Sequence, residues 1–336
     1  MSKVLLTGGS GFIAAHVLNV LLERGHSVVT TVRSAAKGEK ILEAVGTSAK
    51  GKLSYVVVSD IAQEGAFDKA VQAEPPFDYV IHTASPFPDA FNDAVKDVLD
   101  PAIKGTTGIL KAIKAHAPSV KRVVVTSSFA AIMRTKDVPK VYSEADWNPI
   151  TWEEATTVKA MAYRGSKKFA EKAAWDFVAN EKPNFDLSTI CPPLVFGPVE
   201  HHLASLDRLN TSNLLIRDII QGKHVNSDVI PPRGGPIFTD VRDLALAHVR
   251  AIEVPEAGGK RFFVVSDYYS GKRIVDAVRA THPELEDKLP KDLKEDLPAD
   301  IFGFDNSRTQ TVLGIKFRTL KESVNDTVTS LVELGA

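Results

Sequence analysis

Five short apolar runs in the first 130 residues constrain the fold more than any other feature. They are rich in valine and isoleucine, several lack polar alternation, and they occupy residues 3–7, 26–32, 53–60, 77–85 and 120–128. A parallel strand that is buried on both faces requires this pattern. Helical patterns lie between the runs, so the connections are crossovers and should be right-handed. We therefore predict an α/β fold of the Rossmann type, a doubly wound parallel sheet.

The rest of the chain adds one strand and then changes its rhythm. A long helix is predicted over about 151–180 with a break near Thr157, and residues 185–192 form a sixth strand. A helix over about 205–221 and a proline- and glycine-rich segment follow, and a helix over 240–253 packs back on the sheet. We expect a larger domain of residues 1–194 plus about 236–254. The smaller lobe, discontinuous in sequence, then comprises 195–235 and 255–336.

Composition excludes several classes of partner. The 336 residues carry 41 basic and 42 acidic side chains, which gives no electrostatic reason to expect nucleic acid or an acidic membrane. No apolar run reaches the roughly 18 residues of a membrane span. A strand from about residue 3 leaves no room for a signal or transit peptide. Cys191 is the single cysteine, so no intrachain disulfide forms, and we expect a soluble cytoplasmic protein.

The segment TGGSGFIAAH, residues 7–16, follows the first strand and opens the first helix. Gly8 permits a tight turn, Gly11 lets the backbone approach a pyrophosphate, and the small Ala14 lets the helix pack close to the strand. The phosphates would lie at the positive end of the helix, near Phe12 and Ile13. The pattern indicates a dinucleotide site in the larger domain, and the alternative is a plain strand–turn–helix connection.

The end of the second strand indicates which dinucleotide binds. An NAD site usually has an acidic residue there for the ribose 2′-hydroxyl, whereas this chain has Arg33, with Lys37 one turn later. Two cations attract a 2′-phosphate, so the sequence favours NADPH/NADP+, although both side chains could simply be solvated. Asp60 and Ile61 follow the third strand. The carboxylate could contact the adenine amine or cap its own loop.

Several stretches together carry a resemblance to a known family. They are TGGSGFIA, HTASPF (82–87), RVVVTSS (122–128), AYRGSKKFAEKAAW (162–175), CPPLVFGP (191–198) and FTDVRDLALAHV (238–249). The chain resembles the extended branch of the short-chain dehydrogenase/reductase superfamily. The nearest resemblance is to fungal NADPH-dependent carbonyl reductases of the methylglyoxal or aldehyde/ketone type, which are related to plant dihydroflavonol reductases.

The resemblance implies a catalytic trio of Ser128, Tyr163 and Lys167. The serine is one of the neighbours Ser127 and Ser128, and the family pattern points to the second. Tyr163 and Lys167 stand four positions apart, so they share one helix face, and Ser128 ends a parallel strand. Hydride transfer to a carbonyl carbon leaves an alkoxide that needs a proton, which a phenol can give. A nearby ammonium should lower the pKa of that phenol. Separately, each residue could be an ordinary boundary, surface or capping residue.

Further roles follow from the same resemblance. Residues implied to contact the cofactor are Thr83, Ala84 and Ser85 at the pyrophosphate or ribose, Ser127 at the nicotinamide ring, Pro192 and Leu194 behind it, and Lys167 at the ribose hydroxyls. One departure concerns the fourth helix, where many superfamily members place an asparagine in a proton-relay water chain. This chain has Lys104 there. A relay built on that asparagine is therefore in doubt.

The substrate is expected to be a small neutral, moderately hydrophobic aldehyde or ketone. No arginine or lysine clearly aims at a substrate carboxylate or phosphate. An apolar wall is predicted from Phe87, Phe129, Met133 and Phe196, and the alternative is that they belong to the ordinary core. Met133 stands where plant dihydroflavonol reductases commonly carry asparagine. The histidines are scattered, so no metal site is predicted. The protein is expected to be a monomer or a homodimer.

Two rival functions remain open. A nucleotide-sugar epimerase or dehydratase could use the same fold, but a sugar dehydratase needs a carboxylate pair just after its serine or threonine, where this chain has Phe129 and Ala130. Such epimerases usually hold NAD, which Arg33 disfavours. A dinucleotide-sensing regulator without catalysis usually lacks the tyrosine or the lysine, and this chain has both.

Overall fold

A computed structural model describes residues 1–49, 51–85, 90–200, 206, 209–295 and 297–336. Within them the strands are β1 Lys3–Thr7, β2 Ser27–Val32, β3 Leu53–Val57, β4 Tyr79–His82, β5 Arg122–Thr126, β6 Val141–Tyr142, β7 Asp186–Cys191, β8 Leu194–Phe196, β9 Ile237–Asp240, β10 Lys260–Phe263, β11 Asp267–Tyr268 and β12 Gly303–Phe304.

The α-helices are α1 Phe12–Glu23, α2 Ala35–Val45, α3 Asp100–His116, α4 Trp152–Thr157, α5 Ala162–Glu181, α6 Thr211–Ile220, α7 Val241–Glu253, α8 Gly271–Thr281, α9 Ser307–Leu313 and α10 Leu320–Glu333. The long helix predicted near 151–180 is divided between Thr157 and Ala162 into α4 and α5. In the described part of the chain no helix combines the length and the apolarity that a membrane crossing requires.

Seven strands form the central sheet in the order β10-β7-β5-β4-β1-β2-β3, and every neighbouring pair is parallel. The predicted doubly wound α/β fold is confirmed. The chain runs outward from β1 through β2 to β3 and then returns to β4 on the other side of β1. Ligands bind outside the carboxyl ends of the strands at such a switch point. Here those ends are Thr7 and His82.

Both faces of this sheet are covered, which explains the apolar strands without alternation. On one face Val4, Leu6 and Val124 pack with residues of α1 and α7. On the other, Leu5 and Val123 pack with residues of α3 and α5. Burial on two sides removes the solvent face that would otherwise select polar residues.

The smaller lobe is built around a three-stranded sheet in the order β11-β9-β8, with α6, α8 and α10 in the same apolar cluster. Two features of the sequence-based division need correction. Strand β10 pairs in parallel with β7 in the central sheet, although residues 255–336 were assigned to the lobe. Strand β9 lies in the small sheet, although residues 236–254 were assigned to the larger domain. Runs of four residues are too short for periodicity to identify their sheet.

Candidate functional site

The glycine-rich loop after β1 packs closely against neighbouring backbone. Gly8 has φ +75°, and a Cβ at that position would lie 3.0 Å from Cα of Ala84. The Gly8 amide donates to Oγ1 of Thr31 at 3.0 Å, and the Gly11 amide donates to the Gly8 carbonyl at 2.8 Å. Gly11 then occupies the N-cap of α1. The turn therefore needs glycine for its backbone and for its close approach to β4.

Gly9 is a residue that the sequence pattern missed. A Cβ on Gly9 would lie 2.0 Å from Oγ1 of Thr30, whose hydroxyl is buried and donates to the Leu6 carbonyl at 2.9 Å. The G-x-x-G-x-x-A spacing specifies Gly8 and Gly11 but sets no residue type at positions 9 and 10. Ala14 is buried in the core, as its small size suggested.

The corner beyond β2 is positively charged. Arg33 is exposed directly after the strand, and Lys37 lies in the first turn of α2. The first turn of α2 holds no acidic residue, and its N-cap is Ser34. Two cations beside the positive end of a helix dipole form a site that suits a phosphate. The residues present therefore fit the 2′-phosphate of an NADP-type dinucleotide.

Asp60 adopts the second of its two expected roles. Its Oδ1 accepts a hydrogen bond from the Ala62 amide at 2.9 Å, so the side chain caps its own loop. Ile61 packs against α3 at Gly105, where a Cβ would lie only 2.9 Å from Cδ1 of Ile61. The loop after β3 is thereby anchored next to the dinucleotide cleft.

Strand β4 ends in side chains tied to β1. The Thr83 hydroxyl donates to the Thr7 carbonyl at 2.6 Å, and the Ala84 amide donates to Oγ1 of Thr7 at 3.1 Å. The same Thr7 oxygen lies 2.9 Å from Nδ1 of His82. These bonds fix the segment that continues to Ser85 beside the glycine-rich loop.

Tyr163 lies in the first turn of α5, is half-buried and forms a hydrogen bond with the side chain of Ser128. Burial raises the pKa of the Tyr163 phenol above its ordinary value of about 10, and the bond with Ser128 opposes that rise. The expected lowering of this pKa is therefore wrong for the structure described here. At neutral pH the side chain is a neutral phenol, which is the form that can donate a proton.

A short turn at the end of β5 holds Ser128. Its Oγ accepts from the Ala130 amide at 3.1 Å, so the residue caps the turn as well as bonding to Tyr163. The Phe129 amide donates to the Pro192 carbonyl at 2.8 Å, and Nδ2 of Asn148 donates to the Ala130 carbonyl at 2.9 Å. Two flanking segments thus fix the position of the serine hydroxyl.

Lys167 lies one turn after Tyr163 on α5 and reaches the end of β4. Its Nζ donates to Oγ of Ser85 at 3.1 Å. Burial lowers the pKa of Lys167 to about 8, and the neighbouring Cys191 and Glu171 oppose that change. The ammonium therefore lies beside the loop that carries the expected dinucleotide contacts.

Ser127 points away from the cleft, which corrects the expectation that it contacts the nicotinamide ring. It is buried, and its hydroxyl donates to Oε2 of Glu171 at 2.6 Å. Ser128 has extended backbone directly after β5, where the side chains of neighbouring residues point to opposite sides, so Ser127 and Ser128 have different partners. Cys191 is buried, and burial raises the pKa of its thiol well above the ordinary value.

Glu171 forms a buried ion pair that the sequence did not reveal. Its side chain is 1% exposed and accepts hydrogen bonds from Nε of Arg261 at 2.7 Å and from the Thr189 hydroxyl at 2.7 Å. Glu171 stands one turn after Lys167 on the same helix face. That spacing is a signal available in the sequence, whereas the partner on β10 is not.

The predicted apolar wall is only partly present. Phe129 is 4% exposed and Phe196 is 0% exposed, so both belong to the aromatic core and this part of the prediction is corrected. Phe129 stacks on Phe263, and Phe196 packs against other rings of the lobe. Met133 is half-buried, and Phe87 lies outside the described residues.

The remaining candidates face different surroundings. Pro192 is buried, whereas Leu194, Phe12 and Ile13 are half-buried. Lys104 is largely exposed and forms an ion pair with Asp100 at 2.8 Å, so it points toward solvent. Among the described residues no group of three histidine, cysteine or carboxylate side chains could hold a metal ion.

Comparison with known proteins places this site in a family. Residues 4–266 match the NAD dependent epimerase/dehydratase family. The chain is 52% identical over 337 residues to a ketoreductase of Aspergillus niger, azaE, with 98% of each chain covered. It is 41% identical over 341 residues to a putative NADPH-dependent methylglyoxal reductase of Candida albicans, GRP2, again with 98% of each covered.

Solved structures agree with the sequence relatives. The crystal structure of Gre2 with NADPH from Candida albicans superposes with a TM-score of 0.90, at 37% identity and over 100% of both chains. The yeast methylglyoxal/isovaleraldehyde reductase Gre2 with NADPH gives 0.87, at 34% identity and over 98% of both. The chain therefore belongs to the NAD dependent epimerase/dehydratase family, in which it is similar to fungal NADPH-dependent reductases.

Proposed function

We propose that this chain reduces aldehydes and ketones to alcohols with NADPH as the hydride donor. The observation that carries the proposal is the meeting of three groups at one edge of the sheet. The Tyr163 phenol is hydrogen-bonded to Ser128 at the end of β5, and Lys167, one turn later, bonds to Ser85 after β4. The relatives' own activities, ketoreduction and methylglyoxal reduction, support the same chemistry.

The dinucleotide would lie across the ends of β1 and β4. Gly8 and Gly11 would admit its pyrophosphate against the backbone at the start of α1, and Arg33 with Lys37 would bind the 2′-phosphate. Thr83, Ala84 and Ser85 would border its ribose, with Pro192 and Leu194 behind its nicotinamide. When bound, the cofactor supplies a hydride to the carbonyl carbon.

Each residue of the trio has a separate task in this proposal. Tyr163 donates the phenolic proton to the oxygen that becomes an alkoxide, and the raised pKa keeps that proton in place at neutral pH. Ser128 holds the carbonyl oxygen by a hydrogen bond, from a turn that the structure fixes on both sides. Lys167 stabilises the phenolate that remains and binds the nicotinamide ribose.

The substrate would be a small neutral carbonyl compound. Met133 follows Ser128 and Leu194 follows Pro192 in the chain, and these half-buried apolar side chains would suit an uncharged, moderately hydrophobic molecule. The relatives' substrates by name, methylglyoxal and isovaleraldehyde, are of this kind. We also propose a cytoplasmic location, since the one cysteine is fully buried and unpaired.

A nucleotide-sugar epimerase or dehydratase is the second candidate, because the family description names those reactions. The residues after Ser128 disfavour a sugar dehydratase. Phe129 and Ala130 are both buried, and neither is a carboxylic acid. The cationic corner at Arg33 also favours a phosphorylated ribose over the diol of NAD.

An assay of substrate classes separates the two candidates. The purified chain is incubated with NADPH and a panel of neutral aldehydes and ketones, and the absorbance of NADPH is followed. A parallel set contains NAD and uridine diphosphate sugars. We expect NADPH consumption with several carbonyl compounds and no conversion of the sugars. Sugar conversion without any NADPH consumption would overturn the proposal in favour of the epimerase.

A further inference from the structure

A small, partly open cavity lies beside Lys167. It lies between the ends of β4 and β5 and helices α3 and α5. Its polar lining comprises His82, Ser85, Thr106, Thr126, Ser127, Lys167 and Glu171. A cavity that holds a water molecule must be polar and must offer it several hydrogen-bonding partners. This cavity is polar on every one of the four elements that line it.

His82 presents a buried donor in this cavity. The side chain is 2% exposed, and burial lowers its pKa to about 3, so the imidazole is neutral. Oγ1 of Thr7 accepts from the Ala84 amide and lies 2.9 Å from Nδ1 of His82. Within the described segments Nδ1 of His82 is the one acceptor within reach of the Thr7 hydroxyl, so the hydroxyl donates to Nδ1 and the ring proton lies on Nε2. Among the described residues Nε2 has no hydrogen-bond partner.

Lys167 has hydrogen-bonding capacity on the same side. An ammonium has three N–H donors, and one of them is used by Ser85. The charged or titratable groups around it are His82 on β4, Glu171 on its own helix, Cys191 on β7 and, behind Glu171, Arg261 on β10. Helix α3 contributes the neutral Thr106.

We propose that the cavity binds one water molecule that accepts hydrogen bonds from Nε2 of His82 and from Nζ of Lys167. His82 is then a positioning residue for Lys167, because it holds the water that contacts the ammonium. Thr106 and Ser127 supply hydroxyl oxygen atoms for the two hydrogens of the water, since the carboxylate of Glu171 already accepts from Arg261, Thr189 and Ser127. The inference rests on the proposed function, since it assigns Lys167 a role in the reduction. It also gives a physical role to a histidine that the reaction does not otherwise use.

The water has a defined electrostatic effect on Lys167. An acceptor on the ammonium stabilises the charged form and therefore raises its pKa. Without the water, Lys167 would lose its proton at a lower pH. The rate of reduction would then begin to fall at a lower pH as well. A charge-assisted hydrogen bond is strong enough to move this limb by about one pH unit.

The test compares two substitutions at His82 in the NADPH-bound enzyme. His82→Leu removes the donor, whereas His82→Gln keeps an N–H near the position of Nε2. We expect the alkaline limb of the rate profile to move down by about one pH unit in the leucine variant and to recover in the glutamine variant. A high-resolution crystal structure of the NADPH complex should show the water. An unchanged limb in His82→Leu, or a holoenzyme structure with no water between the two nitrogens, would overturn the proposal.

A milder pair of variants keeps the inference testable if His82→Leu does not fold. Thr106→Val removes a hydroxyl from the cavity, and Thr107→Val is the matched control, because its hydroxyl bonds to the Ile103 carbonyl of its own helix. We expect only Thr106→Val to shift the alkaline limb of the rate profile to lower pH, and equal profiles would count against the water.

Lys167→Met tests the role of Lys167 separately from the water site. No reduction of any carbonyl compound by the wild-type chain would refute the proposed function, retained activity in Lys167→Met would refute the role assigned to Lys167, and unmoved limbs in the other variants would refute only the water site.

Discussion

Nζ of Lys167 lies 3.1 Å from Oγ of Ser85, although 82 positions separate the two residues in the chain. The contact joins the helix that carries Tyr163 to the strand end beside the glycine-rich loop. The helix with Tyr163 and Lys167 therefore lies next to Ser85, one of the expected dinucleotide contacts.

The rate of reduction should fall on the alkaline side between about pH 8 and 9. Burial lowers the pKa of Lys167 from 10.5 to about 8, the proposed water raises it by about one unit, and the ammonium is lost above the resulting pKa. The profile of kcat/KM between pH 6 and 10, at saturating NADPH, measures the effect. Lys172→Met is the control, because Lys172 is exposed and pairs with Asp176 on the same helix. A limb near pH 10 in the wild type would contradict this assignment.

Arg33→Asp should shift cofactor preference from NADPH toward NADH. The substitution removes a cation from the 2′-phosphate corner and adds a carboxylate that can bind a ribose hydroxyl. Loss of a charge-assisted bond should lower the NADPH/NADH ratio of kcat/KM by about ten- to a hundredfold. Lys40→Asp, an exposed position on the following helix α2, controls for net charge. Equal ratios in Arg33→Asp and the wild type would show that Arg33 does not contact the 2′-phosphate.

Gly9→Ala should destabilise the fold, because the added Cβ would lie 2.0 Å from Oγ1 of the buried Thr30. Overpacking of this kind costs about 1–3 kcal/mol of unfolding free energy. Gly108→Ala is the matched control, since within the described chain a Cβ there would meet no atom within 4 Å beyond the adjoining backbone of α3. Urea unfolding compares the two variants. If Gly9→Ala proves as stable as Gly108→Ala, the packing of this loop is not as described.

Glu171→Gln should be strongly destabilising, because it leaves the buried guanidinium of Arg261 without its carboxylate. Breaking a buried pair on one side costs about 3–5 kcal/mol. The exposed pair of Lys172 and Asp176 provides the control, and Asp176→Asn should change the unfolding free energy by less than about 1 kcal/mol. Chemical denaturation measures both. Similar losses in the two variants would mean that burial does not determine the strength of the Glu171 pair.

The sequence was informative wherever a local pattern determines the structure. Valine-rich runs without alternation predicted the first strands, and the four-residue spacing of Tyr163 and Lys167 predicted their common helix face. Side-chain direction within one strand was harder, because Ser127 and Ser128 are chemically identical and only the folded strand sends one to Glu171 and the other to Tyr163.

Features that depend on distant packing could not be read from the sequence. Phe129 and Phe196 are apolar residues beside the site motifs, and only the tertiary structure shows that they fill the aromatic core. Arg261 reaches Glu171 across 90 positions, on a strand too short to be recognised by its periodicity. The pKa of Tyr163 was likewise misjudged, since the extent of its burial outweighs what its spacing from Lys167 suggested.

Turnover by Tyr163→Phe is the most direct measurement of the central claim that the phenol protonates the developing alkoxide. The variant keeps the ring and loses only the hydroxyl bonded to Ser128. With an aldehyde that the wild type reduces, we predict a loss in kcat of about 100- to 10,000-fold, with the dissociation constant of NADPH unchanged. A Tyr163→Phe enzyme that binds NADPH normally and turns over within about twofold of the wild type would contradict the account.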